Sequence, residues 1–463
     1  MWPSRREFIR GCCAAASMGV FASFSRFGLM NALAQSPADY RALVCIFLFG
    51  GNDGNNLVVP MGSTAPLNYA TYLALRGDPA SGGLALAQSG TGALLGINIR
   101  TAQNGVRDFG LHPALTNIRN LFMNNRVAIV ANVGVLFEPL TRNEYRNRLK
   151  PIPANLFSHS DQQQQWQTLR PDGFGTTGWG GRTADKVQGL NVGAQFPPIT
   201  TVAGTAIFNT GQETHPFALV PGTTPGLQGF DSSAAANARL VALQEMLTFD
   251  TGINLVQATS SVTGRALQQS ATLSAALQGQ TLQTAFPATS IGNQLRQVAL
   301  IIKVRQALGL SRQIFFCSMG GYDTHSNQLP DQQNLLSQLD AAMKAFYDAT
   351  LELGVSSRVT TFTLSEFGRT LKPASGAGSD HGWGSHQLIL GDAVLGGDMY
   401  GRFPEPAFGG PDDASSNGRW IPSTSIDQFG ATLARWFGVA EADLPAVFPN
   451  LPKFPTSNLG FMG

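Results

Sequence analysis

Four short, uninterrupted apolar runs are the feature that most restricts the fold of this chain. They cover residues 43–49, 127–133, 313–318 and 359–364. A strand buried on one face alternates apolar and polar residues, whereas a strand covered by helices on both faces is apolar throughout. The runs therefore predict an α/β fold, with a central, mostly parallel sheet flanked by helices.

Helical segments separate these runs. Residues 291–308 carry apolar side chains at helical spacing and are followed by Gly309, which favours a helix that ends there. A region near residues 232–290 is rich in Ala, Leu, Gln and Ser. We interpret it as a helical insertion, either a helix pair lying over the sheet or a mobile lid.

The N-terminus predicts export through the twin-arginine machinery. Arg5 and Arg6 are followed by one acidic residue and then by apolar residues. Residues 32–34 have the small-residue pattern of a signal-peptide cleavage site. The apolar run is shorter than the roughly 20 residues that span a bilayer. We therefore expect residues 1–34 to be removed and residues 35–463 to form a single periplasmic or secreted domain with no stable membrane span. A retained membrane anchor is the alternative.

Charge and cysteine content exclude several classes of function. Without the arginines of the signal the chain is close to neutral and has no basic block, which argues against nucleic acid as a partner. Cys45 and Cys317 both lie in predicted buried strands, and we expect free thiols there. The absence of a Cys-x-x-Cys pattern excludes a cysteine zinc cluster and a redox pair.

Three of the four apolar runs lead directly into glycine-rich segments that carry acidic residues or histidines. In chain order these residues are Asp53, Asp323, His325, Glu366, Asp380, His381 and His386. Ligands of open parallel sheets bind beyond the carboxyl ends of the strands. Carboxylate oxygens and imidazole nitrogens bind zinc, manganese or iron. The pattern thus indicates a metal site, with a network of hydrogen-bonded turns as the alternative.

These motifs resemble a known family. The segments Phe47–Pro60, Leu111–Leu115, Phe157–Ser160, Thr177–Arg182, Gly320–His325, Ser365–Thr370 and Asp380–Gly382 occur in the order typical of the family catalogued as domain of unknown function 1501. Ser160 departs from the phenylalanine that is common there. Through that family the chain resembles the alkaline phosphatase and sulfatase superfamily. The resemblance implies an alkaline-phosphatase-like fold with a two-metal site at the strand ends.

The resemblance also implies a set of ligands for one or two divalent ions, which would be zinc, manganese or calcium. The predicted ligands are Asp53, Asp323, His325, Glu366, Asp380, His381 and His386. Two features differ from the superfamily pattern. Asp323 and His325 are spaced Asp-x-His instead of Asp-x-x-x-His, and Glu366 takes the position after a strand that an Asp-His pair normally has. The assignment of ligands to individual ions therefore stays open.

The predicted function is the metal-dependent hydrolysis of a small anionic ester, either a phosphate or a sulfate. Ser158 is the predicted nucleophile, preferred over Ser160, with a helix cap as the equal alternative for Ser158. Arg369 is predicted to contact an anionic oxygen, or else to be structural. His112 and His159 either line the site or are structural histidines. The alternative function is a non-catalytic periplasmic or surface binding protein that keeps the fold and a structural metal.

Replacing both Arg5 and Arg6 by lysine should abolish export, because the export receptor recognises the arginine pair as a unit. Cell fractionation followed by immunoblotting measures the exported fraction. Replacing Arg10 and Arg26 by lysine is the matched control and should leave export unchanged. Undiminished export of the first variant would contradict the assignment of the signal.

Overall fold

The computed structural model describes residues 40–463 except 224, 228–229, 231–232 and 251. The predicted signal, residues 1–34, lies outside the described residues. The strands, in chain order, are β1 (Arg41–Leu48), β2 (Val58–Pro60), β3 (Leu95–Gln103), β4 (Val106–Leu111), β5 (Val127–Gly134), β6 (Ile199–Thr201), β7 (Phe217–Ala218), β8 (Arg312–Met319), β9 (Val359–Leu364), β10 (Arg369–Ala374), β11 (Gly378–His381), β12 (Ser385–Leu390), β13 (Asp398–Tyr400) and β14 (Thr424–Ser425).

The main sheet has the strand order β13-β5-β12-β9-β1-β8-β6-β7, and β14 pairs with β5. β1 lies between β8 and β9 and is parallel to both. Among the described strands of this sheet, only β12 is antiparallel to both of its neighbours, β5 and β9. All four predicted strands are present, and the prediction of a mostly parallel sheet is confirmed.

Both faces of β1 are covered, as its continuous apolar sequence predicts. Leu43, Cys45 and Phe47 join a buried cluster that includes aromatic side chains of the C-terminal helices. The alternate side chains Val44 and Ile46 are also fully buried. Cys45 on β1 and Cys317 on β8 are buried free thiols, which confirms that prediction.

The described helices are α1 (Gly54–Leu57), α2 (Tyr69–Arg76), α3 (Thr116–Met123), α4 (Arg142–Arg146), α5 (His159–Thr168), α6 (Trp179–Val187), α7 (Ala234–Leu247), α8 (Asn254–Leu277), α9 (Ser290–Lys303), α10 (Gln328–Glu352), α11 (Ile426–Phe437) and α12 (Leu444–Val447). Two of them, α7 and α8, occupy the region of the predicted insertion. α9 corresponds to the helix predicted over residues 291–308 and ends earlier than expected. No helix in the described part of the chain is long and apolar enough to cross a membrane.

A two-stranded hairpin covers the carboxyl end of the sheet. Its strands β10 and β11 are antiparallel and place Arg369 opposite His381. The Ser379 amide donates to the Thr324 carbonyl oxygen at 3.1 Å, and the Gln328 amide donates to the Ala377 oxygen at 3.0 Å. These bonds hold the hairpin on the segment that follows β8, so that polar residues after β8 and β9 meet.

The turn after β1 requires two glycines because other backbone segments approach it closely. Gly50 and Gly51 have φ values of 119° and 86°, in the region that glycine favours. A Cβ atom on Gly50 would lie 2.3 Å from the Asp323 amide nitrogen, and one on Gly51 would lie 2.4 Å from the Phe367 ring. The close approach of the three strand ends therefore depends on this pair.

Replacing Gly50 by alanine should lower the free energy of unfolding by about 2 kcal/mol, because the positive φ and the contact with Asp323 both oppose a side chain. Gly264 in α8 is the matched control, since an added Cβ there meets no atom within 4 Å. Gly264→Ala should raise the stability by about 0.5–1 kcal/mol. Urea unfolding measures both changes. A Gly50→Ala variant as stable as the wild type would contradict this account of the turn.

Candidate metal centre

Three histidines and one aspartate converge at the carboxyl end of the sheet. The potential ligand atoms of His159, Asp323 and His381 lie within 4.8 Å of one another. His325 adjoins them, with its Nε2 2.9 Å from His381 Nε2 and 3.0 Å from Asp323 Oδ1. We call these four residues the histidine cluster.

Three different segments supply the cluster. Asp323 and His325 lie in the segment after β8, and His381 is the last residue of β11. His159 is the first residue of α5 and therefore comes from a part of the chain that follows no strand of the main sheet directly. The site is thus assembled by the packing of α5 and the hairpin onto the sheet.

The orientation of His159 is set by Glu366, which is fully buried. Glu366 Oε1 lies 3.0 Å from His159 Nδ1 and also accepts from Gly50 N at 2.8 Å and Gln163 Nε2 at 2.9 Å. A carboxylate accepts, so the proton of the imidazole is at Nδ1. His159 Nε2 then carries a lone pair and lies 3.4 Å from Asp323 Oδ2. This nitrogen is buried and has no hydrogen-bond partner among the described residues.

His381 is oriented in the same sense by a backbone carbonyl. Its Nδ1 lies 2.7 Å from the Phe157 oxygen, which can only accept, so Nδ1 donates and Nε2 keeps its lone pair. Burial lowers the pKa of His381, and the positive charge of Arg369 acts in the same direction. The neutral form, which binds metals, is therefore favoured.

Phe157 itself has a strained backbone. Its φ of 72° is unusual for a bulky residue, and such strain persists where the surroundings determine the conformation. The Phe157 amide donates to Gln162 Oε1 at 2.7 Å, and the Arg419 guanidinium lies 4.3 Å from the centre of its ring. Arg419 Nε also donates to the His381 carbonyl oxygen at 2.8 Å. These contacts direct the Phe157 carbonyl toward His381.

Arg369 fixes the carboxylate of the cluster. Its side chain is fully buried, and Nη1 donates to Asp323 Oδ1 at 2.7 Å and to the Gly50 oxygen at 3.1 Å. Partial burial would raise the pKa of Asp323, but the hydrogen bond and charge of Arg369, together with His325 and His159, hold it below its ordinary value. Asp323 is therefore ionised and ready to bind a cation.

This donor set fits a divalent transition metal. Histidines that bind metals usually donate their second nitrogen to a carboxylate or a backbone carbonyl, as His159 and His381 do here. Catalytic zinc sites combine three protein ligands with one open position. The side chains of Asp323 and His325 are 45% and 47% exposed, so the cluster is open to solvent on their side.

The comparisons with known proteins identify the family. The sequence matches the family described as "Protein of unknown function (DUF1501)" over residues 40–431. The chain belongs to this family. A comparison with curated proteins finds no match for the DUF1501 chain.

Several solved structures are distantly similar to this DUF1501 protein. One is Ps i-CgsB in complex with k-i-k-neocarrahexaose, at 9% identity and a TM-score of 0.34 over 89% of this chain and 77% of that one. Another is the PsFucS1 sulfatase from Pseudoalteromonas sp., at 10% identity and a TM-score of 0.32, with 94% of this chain and 72% of that chain covered. A third is the lipoteichoic acid synthase LtaP from Listeria monocytogenes, at 8% identity and a TM-score of 0.32, with 88% of this chain and 74% of that chain covered. Similarity at these TM-scores indicates nothing about activity, and the fold is defined by the strand order of the main sheet.

Four predicted ligands of the DUF1501 protein lie outside the histidine cluster, and two of these, Asp53 and His386, are engaged elsewhere. Asp53 is buried, forms an ion pair with Arg76, and accepts from Gln328 Nε2 at 2.6 Å. His386 accepts from the Asn132 amide through Nδ1 at 3.1 Å, and burial lowers its pKa to about 3. The protein itself supplies partners for both side chains and does not bring them into the histidine cluster, and their assignment as ligands stays a prediction.

Three further residues of the predicted site lie near the cluster but are not part of it. Glu366 is beneath it and holds His159. Asp380 is at the rim, 51% exposed, with Oδ1 3.6 Å from His325 Nδ1. Ser158 is the N-cap residue of α5, but its hydroxyl donates to Asp161 Oδ2 at 2.5 Å and makes no capping bond.

The contacts of Arg369 favour the structural alternative of the two that the sequence left open. Its donors are directed at Asp323 and at backbone oxygens of Gly50 and Ser379, so it positions a carboxylate and is not free to bind a substrate oxygen. His112 is likewise structural, because it is buried and its Nδ1 accepts from the Ala114 amide at 3.1 Å.

His159 was absent from the predicted ligand set because it follows no predicted strand. The signal available in the sequence is the segment Phe157–Ser160, which the family resemblance singles out. Gln163, one turn later on α5, lies beside His159 and donates to the same carboxylate. The spacing of His159 and Gln163 places both on one face of a helix, directed at Glu366.

Asp53→Asn should lower the free energy of unfolding by about 3 kcal/mol, because the buried charge of Arg76 loses its partner. The metal content of the folded fraction should stay unchanged. Asp172→Asn is the matched control, since it removes a half-exposed pair with Arg170 and should change stability little. Urea unfolding and elemental analysis provide the measurements. Normal stability with loss of metal would show instead that Asp53 is a ligand.

Proposed function

We propose that this protein is an exported, metal-dependent hydrolase of phosphate or sulfate esters. The observation that carries the proposal is the convergence of three imidazoles and an ionised carboxylate at the carboxyl end of the sheet. Two of the imidazoles are held with their Nε2 lone pairs available, by Glu366 and by the Phe157 carbonyl. Export rests on the arginine pair of the N-terminus.

His159, Asp323, His325 and His381 would hold the ion. Imidazole nitrogens favour zinc, and to a lesser degree manganese, over calcium, which prefers oxygen ligands. The ligand atoms of His159, Asp323 and His381 lie within 4.8 Å of one another and support a single ion, with His325 beside them. When bound, it supplies Lewis acidity that stabilises negative charge on an ester oxygen and makes a nearby water more acidic.

The surrounding residues keep these donors in the form that binds a cation. Glu366 and the Phe157 carbonyl hold protons at Nδ1 of His159 and His381, and Arg369 keeps Asp323 ionised. Asp380 Oδ1 lies 3.6 Å from Nδ1 of His325 and adds negative charge at the rim of the cluster. The side chains of His159 and His381 are 31% and 21% exposed, less than those of Asp323 and His325, which leave one side of the cluster open to a substrate.

The attacking group in this proposal is water. The Ser158 hydroxyl is engaged by Asp161, so Ser158 is not oriented as a nucleophile. The same observation favours the second candidate function, a binding protein that retains the fold and a metal without catalysis. The two functions differ in turnover and agree in metal binding.

His381→Gln should reduce both metal content and ester cleavage by at least about 100-fold, since even indirect partners of a ligand typically change affinity by about 10- to 100-fold. His215, an exposed histidine outside the cluster, provides the control variant His215→Gln, which should leave both unchanged. Ser158→Ala should also retain both. The assay uses aryl phosphate monoesters, phosphodiesters and aryl sulfates with added zinc or manganese.

The outcomes separate the candidates. Metal binding that depends on His381 without cleavage of any ester would favour the binding protein. Loss of cleavage in Ser158→Ala with metal retained would restore Ser158 as the nucleophile. Equal metal content in His381→Gln and the wild type would overturn the metal centre.

A further inference from the structure

A cleft of about 600 Å³ lies on the surface next to the histidine cluster. We call it the basic cleft, and its lining includes Tyr145, Arg146, Arg148, Lys150, Leu156 and Ala414. Ile152 and Pro153 complete the lining, so three of its eight residues are basic.

The basic cleft shares a wall with the metal centre. Leu156 lines the cleft, and the next residue, Phe157, holds His381 Nδ1 at 2.7 Å. Ala414 lines the cleft from another side, and its amide donates to the carbonyl oxygen of Arg419 at 2.9 Å. The Arg419 guanidinium covers the Phe157 ring. A molecule that spans Phe157 therefore reaches both the cleft and the cluster.

Two of the three basic side chains of the cleft have no acidic partner in the described part of the chain. Arg146 and Arg148 are exposed, and neither forms an ion pair in the described part of the chain. Lys150 differs, because its Nζ lies 2.9 Å from Glu144 Oε1. The backbone of Arg148 is left-handed, with φ of 53°, and the following residue's amide donates to the Glu144 carbonyl oxygen.

Two unpaired guanidinium groups favour one class of ligand. The planar guanidinium donates two parallel hydrogen bonds to a phosphate or sulfate group, and its charge strengthens both. Tyr145 and Leu156 add apolar surface beside the two arginines. The cleft therefore combines sites for an oxyanion and for the carbon skeleton that carries it.

We propose that the basic cleft binds a second oxyanion of the substrate, a phosphate or sulfate group other than the one cleaved at the histidine cluster. The substrate is then a molecule with at least two such groups. This inference rests on the proposed function for the identity of the substrate, whereas oxyanion binding in the cleft requires no turnover.

The test is calorimetric titration of the purified protein, residues 35–463, with two probes, inorganic tripolyphosphate and sucrose octasulfate. The double variant Arg146→Gln/Arg148→Gln should raise the Kd of at least one probe about tenfold or more, since each charge-assisted contact contributes a factor of about ten. Its metal content and unfolding midpoint should match the wild type. The probe that loses affinity shows whether phosphate or sulfate is preferred.

The control is Arg107→Gln/Arg358→Gln, which removes the same charge away from the cleft and should leave both Kd values unchanged. Equal losses of affinity in the two double variants would show that the effect comes from net charge and not from the cleft, and would overturn the proposal. So would a wild type that binds neither probe. If the cleft variant alone loses affinity while the wild type cleaves no ester, the proposed function fails and the cleft is still an oxyanion site.

Discussion

The buried carboxylate of Glu366 is the contact on which the assembly of the site depends. It follows β9 and accepts from the amides of Gly50 and Gly51 after β1, from Gln163, and from His159 on α5. A buried carboxylate is costly unless donors satisfy it, so these segments must all reach it in the folded protein. The same contacts that stabilise the junction of the strands therefore set the orientation of a metal-binding histidine.

Two buried arginines show how similar pairs acquire different roles. Arg76 is paired with Asp53, and Arg369 is paired with Asp323. The side chain of Asp53 is 1% exposed, and its charge is paired within the fold. That of Asp323 is 45% exposed and keeps an oxygen directed toward His159. The difference lies in what covers the carboxylate and not in the type of residue.

The sequence predicts the sheet well because its signal is local. Continuous apolar runs mark β1, β5, β8 and β9, and parallel neighbours bring the segments after β1, β8 and β9 to one edge. The antiparallel insertion of β12 depends on long-range pairing and had no such signal. The roles of Asp53 and Arg369 were also out of reach, because each depends on a partner that is distant in the chain.

The segment Leu156–His159 connects the two sites that the structure offers to a substrate. Leu156 lines the basic cleft, the Phe157 carbonyl orients His381, and His159 is itself a proposed ligand. Phe157 is held in a strained conformation by contacts with Gln162 and Arg419. The wall of the cleft and the residues of the cluster therefore adjoin within one segment of four consecutive residues.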